Sequence, residues 1–187
     1  MKKRMCLALV LLCATAVAQQ AKSNSAGSAN PVSDTVRSML GGRAKNLVAA
    51  AEAMPADKYS YKPTEQQMTF GTLVEHIANT NNFLCAKLAN QAAPSDKISD
   101  KDPKDKLVAA VKSSFAFCET ALKSVQDSQL GEQVVLFGGH PAPKAAALFA
   151  LAGGWADHYG AAAIYLRLNG ILPPTAQHAP APSAKKD

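Results

Sequence analysis

The sequence predicts an all-α domain, a bundle of four main helices. Three observations carry that prediction. Four segments place apolar residues at steps of three and four, as one buried helix face requires. Residues that start or stop helices bound these segments. Alanine is abundant and aromatic residues make up only 6% of the chain, a composition that favours close helix contact over strands. At 187 residues, 48% of them hydrophobic, the chain has the size and core of one domain.

The first 18 residues read as a secretion signal. Lys2, Lys3 and Arg4 form a basic start, an apolar run from Met5 to Ala14 follows, and Ala16-Val17-Ala18 offers a small-x-small cleavage site ahead of Gln19. The run is shorter than the roughly 20 residues a membrane span needs, so no membrane association is expected after cleavage. The expected address is periplasmic or secreted. Cleavage removes three of the 20 Lys and Arg and none of the 14 Asp and Glu, which leaves 20 − 3 = 17 against 14 and a net charge of +3. With no basic cluster interleaved with aromatics, no nucleic-acid partner is expected. Residues 19–29 are small and polar and read as a flexible leader.

Asn30-Pro31 opens the first helix, with Asn as cap and Pro at the first helical position. Its stripe is Val32, Val36, Met39, Leu40, Leu47, Ala50 and Met54, and Pro55 stops it. Thr69 caps the second, whose stripe is Phe70, Leu73, Ile77, Asn81, Leu84 and Leu88; His76 flanks that stripe and is expected near the bundle interior. Asp102-Pro103 opens the third, with Leu107, Val111, Phe115, Cys118, Leu122 and Val125 in a bundle-like seam. Val134 to Phe137 reads as an extended stretch or one hairpin arm. The fourth runs from near Pro143 to Leu168, with Leu148, Leu151, Trp155, His158, Ala162 and Tyr165 on one face; Asn169-Gly170 and Pro173-Pro174 end it. The domain therefore spans 30–174, and 175–187 reads as a disordered tail.

Cleavage leaves two cysteines, Cys85 and Cys118. In an oxidising compartment they form a disulfide if the second and third helices, as antiparallel neighbours, bring them to one height; otherwise they are two buried thiols.

His178 falls in the tail and His140 in a loop. His76 and His158 project from two helices toward the inside, where bundles build metal sites, although a hydrogen-bonded structural histidine is the commoner case. Gly153-Gly154 interrupts the fourth helix; tight packing against another helix is the expected reason. Trp155 and Tyr165 are expected to line the pocket beside the histidines. Arg167 reads as a charge suited to a helix C-terminus.

Two stretches resemble the DinB-like (DinB/YfiT-like) metalloenzyme family. One is Met54-Pro55, Lys58-Tyr59-x-Tyr61-Lys62-Pro63-Thr64 and Thr69-Phe70-Gly71-x-Leu73-Val74-x-His76-Ile77-Ala78. The other is His158-Tyr159-Gly160 through Ile164-Tyr165-Leu166-Arg167-Leu168-Asn169-Gly170 to Pro174. The resemblance covers residues 30–174. It implies an up-down-down-up bundle, often a homodimer, holding a divalent metal (Zn or Ni) on three histidines. One matches His76 and the last matches His158. The remaining one belongs at position 154, where this chain has glycine, and a glutamine frequent in the family is replaced by Ala161.

The resemblance thus implies a degenerate divalent-metal site with two of three histidines. Together with the secretion signal, the expectation is an exported protein, non-catalytic or of unknown activity, that binds a divalent metal (Zn or Ni) weakly or not at all and whose pocket takes a small molecule or nothing. The alternative is a metal-dependent hydrolase or thiol-dependent transferase using His76 and His158. Asp157 follows a direction about 100° from that of His158 around the helix, which argues against it as the third ligand; His140 remains open as one that swings in.

Overall fold

The structure, a computed structural model, describes residues 27–177. The signal, most of the leader, and His178 with the rest of the tail lie outside the described residues. Four helices dominate: α1 (Pro31–Ala53), α2 (Phe70–Ala89), α3 (Lys104–Leu122) and α4 (Lys144–Leu168). A two-stranded antiparallel hairpin, β1 (Gln133–Val135) and β2 (Pro141–Pro143), sits between α3 and α4, so the extended run is indeed one arm of a hairpin.

Helix boundaries follow local chemistry. Met54 is extended ahead of Pro55 and ends α1. The Thr69 side chain accepts from the Thr72 N–H at 3.1 Å and caps α2. Asn90 ends α2 in the left-handed conformation. Gly170 (φ +73°) does the same after α4, and the Ile171 N–H returns to the Leu166 carbonyl. Two expected caps differ. Asn30 makes no side-chain bond to its own helix; its Oδ1 accepts from the Asp127 N–H, and the Asp127 carboxylate accepts from the N–H groups of Val32 and Ser33. The start of α1 is thus capped from the far end of α3. α3 begins after Pro103, and Asp102 accepts from the Ser99 N–H and pairs with Lys106 instead.

Arg37 completes the junction by donating to the carbonyls of Leu122 and Val125 at the end of α3, 2.8 Å each. The start of α1 therefore meets the end of α3, and these two helices are antiparallel. α2 and α3 are parallel, not antiparallel: Asn81 meets Ser114 and Cys85 meets Cys118, both 33 residues apart. α4 runs against α2, with Trp155 beside Asn81 and His158 beside His76. The result is up-down-down-up, with α1, α3, α2 and α4 in order around the bundle. The disulfide forms with a Cα–Cα distance of 5.2 Å, and the constant offset between the parallel helices is what aligns it.

The seams of α2 and α3 are buried as expected. On α1, Val36, Leu40, Leu47, Ala50 and Met54 are buried, but Val32 is exposed and Ser33 takes the inward place. At the centre, the indole N–H of Trp155 donates to Asn81 Oδ1 (2.8 Å) and the Asn81 amide donates to Ser114 Oγ (3.1 Å). Trp155 is 1% exposed and belongs to the core, not to a pocket wall. A wide indole on the inner stripe is worth more in a dry core than at a rim, and asparagine supplies the acceptor its N–H needs. α4 is apolar on its outer side as well, where Phe149, Ile164 and Leu168 are exposed. Among the described residues no helix is long and apolar enough to cross a membrane.

Candidate functional site

The loop between α1 and α2 builds the floor of a cleft. The Tyr59 hydroxyl donates to the Ala51 carbonyl, and the Phe70 and Gly71 N–H groups donate to the carbonyls of Tyr61 and Tyr59. This draws the loop so close that a Cβ on Gly71 would lie 3.1 Å from the Asp100 carbonyl and 3.2 Å from that of Tyr59. Burial pushes the Tyr59 phenol up, so it stays a donor. Tyr165 packs edge-on against Tyr61, and its hydroxyl donates to the Met68 carbonyl at 2.6 Å. Tyr165 lines the cleft as expected; Trp155 does not.

The cleft has a volume of about 450 Å³ and opens between α2, α4 and residues 66–68. His76 from α2 and His158 from α4 face each other across it, ring centroids 4.9 Å apart at 68°. They meet at the mouth of the bundle, not in its interior: His76 is exposed and His158 half-buried. His76 sits on the shoulder of the α2 stripe, and the expectation of burial placed it one notch too far inward. Burial, and then the neighbouring His76, hold the His158 imidazole below its ordinary value, while Asp157 and the Gly154 backbone pull the other way. The lowering favours the neutral His158 ring, which has a free lone pair to offer.

Gly154 stands one turn before His158. A Cβ built there would lie 3.4 Å from His158 Cε1 and 3.5 Å from Nδ1, ordinary contact, with nothing else near; Gly153 would meet nothing at all. Neither glycine packs tightly against another helix, so that expected reason fails. Position 154 points at the ring of His158 and contributes no donor. Asp157 and Ala161 line the same cleft, but among the described residues no group of three or more His, Cys, Asp or Glu converges as a metal ion needs. His140 belongs to the hairpin at the start of α4, about 20 Å along the helix from His158 at 1.5 Å per residue, and does not line the cleft. The residues present fit a divalent metal only in part: two imidazoles converge and the third donor is missing. Arg167 is exposed in the last turn of α4.

The sequence matches the model of the DinB superfamily over residues 40–162. The fold is similar to that of a DinB-like protein of Bacillus subtilis, with 23% identity, a TM-score of 0.61, and coverage of 78% of this chain and 99% of that one. It is also similar to a DinB-like protein of Bacillus cereus, with 17% identity, a TM-score of 0.58, and coverage of 71% and 89%. A mycothiol-dependent maleylpyruvate isomerase shares the fold at 11% identity and a TM-score of 0.53, over 68% of this chain and 59% of that one. No curated protein matches. The family model takes in more than half of the sequence, including both cleft histidines, and the chain belongs to the DinB superfamily.

Proposed function

We propose that this protein is an exported DinB-superfamily domain whose divalent-metal centre is degenerate, and whose cleft serves binding of a small molecule and not catalysis. The observation that carries the reading is the geometry at position 154. A side chain there would touch the ring of His158, yet the residue is glycine. Catalytic zinc takes three protein ligands and a water; His76 and His158 supply two, so divalent ions bind weakly and leave on dialysis. Export is supported by the basic-apolar-small pattern of residues 1–18 and is compatible with the Cys85–Cys118 bridge.

Elemental analysis tests the reading. Protein loaded with Zn or Ni and then dialysed should hold well under one equivalent. Gly154→His should raise that to one equivalent, and His76→Ala should abolish the gain. One tightly held equivalent in the unaltered protein, lost in His158→Ala, would overturn the proposal in favour of a metal-dependent hydrolase or thiol-dependent transferase. The address is tested separately: protein recovered outside the cytoplasm should begin at Gln19.

A further inference from the structure

A second cavity lies beneath the crossover, residues 90–103, that joins the parallel helices α2 and α3. It has a volume of about 320 Å³ and is lined by Asn82 of α2, Pro94, Lys97 and Ile98 of the crossover, and Ala109 and Ala110 of α3. Asn82 is six residues beyond His76, about 120° away around α2 at 100° per residue, so the cavity is separate from the histidine cleft. Its size falls at the small end of small-molecule sites.

Two polar features give it a chemistry. Asn82 Oδ1 is buried and has no hydrogen-bond partner among the described residues. Such an orphan is uncommon in a folded protein and costs stability until a donor reaches it. As placed, this oxygen faces away from the cavity that Asn82 lines; the amide torsion of asparagine is broad, and turning the amide over, so that its nitrogen and oxygen exchange places, presents the oxygen to a ligand there. At the rim, the Lys97 ammonium forms no ion pair among the described residues, whereas Lys106, on the same cavity, is paired with Asp102 at 2.9 Å. Asp96 also lines the cavity and opposes a fully anionic ligand. That favours a single negative charge placed at Lys97. The rest of the wall is mostly methyl and ring surface from Ile98, Pro94, Ala109 and Ala110, with Ser113 of α3 also lining it.

We propose that this cavity binds a small hydroxylated monocarboxylate, its hydroxyl donating to Asn82 Oδ1, its apolar body against the alanines, and its carboxylate at Lys97. The site stands independently of the histidine cleft and of any metal there.

The test is amide-resolved NMR titration of the purified full chain with 4-hydroxybenzoate, and with benzoate as the probe lacking the hydroxyl. Saturable shifts centred on Ile98 and Ala110 are expected, with 4-hydroxybenzoate binding about tenfold tighter than benzoate, the value of one buried hydrogen bond. Asn82→Leu should erase that difference, and Lys97→Met should weaken both probes. The comparison of the two probes on the unaltered protein stands even if a variant fails to fold. No saturation by about 10 mM, where binding is no longer specific, would overturn the proposal. So would equal affinities for the two probes, shifts centred on His76 and His158, or a Lys97→Met protein that binds as before.

Discussion

Asn81→Leu removes the amide that joins α2, α3 and α4 in the core. The side chain is 2% exposed, Trp155 and Ser114 are 1% exposed each, and no water reaches them to compensate. The Trp155 N–H, now facing leucine at the position of its 2.8 Å acceptor, goes unpaired, at a cost of about 1–3 kcal/mol. The bond to Ser114 contributes about 1 kcal/mol, but Ser114 keeps its own donation to the Val111 carbonyl. Burying leucine's methyls returns about 1 kcal/mol. The net loss is about 1–3 kcal/mol, a fall in Tm of roughly 2–12 °C for a domain of this size. Urea denaturation followed by far-UV circular dichroism measures it. The double variant with Trp155→Phe should show a coupling of at least about 1 kcal/mol, because phenylalanine has no N–H to strand. A loss below about 0.5 kcal/mol, or additivity within that margin, would refute the claim that this network ties the three helices.

Other outcomes follow from the same structure. Cys85→Ser with Cys118→Ser should lower stability by about 3–4 kcal/mol on the loop-entropy model for a 33-residue separation; an unchanged urea midpoint against the oxidised protein would contradict it. The ring-proton titration of His158 should have its midpoint below the ordinary 6.5 and move upward in His76→Ala. The unfolded chain then takes that proton more readily. The neutral ring's contribution to stability is therefore complete above 6.5 and is lost as pH falls through the lower folded midpoint; a midpoint at or above 6.5 would reverse the sign. Asp127→Ala should lower Tm and speed amide exchange at Val32 and Ser33, its two backbone donors; unchanged exchange there would remove the cross-helix cap from the account. The apolar outer side of α4 predicts a homodimer through Phe149, Ile164 and Leu168. Sedimentation should give twice the chain mass, reverting to one in Ile164→Glu, and a monomeric unaltered protein would dismiss it.

Much of this architecture was readable from residue spacing. The Leu73–Leu88 and Leu107–Val125 stripes are the buried seams because a period near 3.6 fixes which side of a helix faces inward. That period does not say which neighbour it meets or in which direction. The antiparallel premise for the disulfide therefore failed, whereas the up-down-down-up order implied by the resemblance has α2 and α3 parallel, as observed, and the cysteines still pair. Asp127 and Arg37 escaped for a related reason: their partners lie 94 and 85 residues away, beyond any local signal. Of the cleft, His76, His158 and Tyr165 were legible from motif and stripe. Exposure of His76 was not, because a residue at the edge of a stripe is decided by how far the neighbouring helix leans over it. Trp155 was misplaced because a stripe cannot distinguish a core position from a wall, although Asn81 on the facing stripe was a hint that a buried polar partner needed a donor.

The covalent link between α2 and α3 bears on damage to the chain. Residues 91–97 of the connection between those helices are exposed, and Lys97 and Lys101 offer a trypsin-like protease its cut sites. Cys85 and Cys118 flank both. A molecule severed there keeps its halves fastened, each with two of the four helices. It should run as one band on a gel without reductant and as two with it, so an attack that clips this segment does not by itself release a fragment.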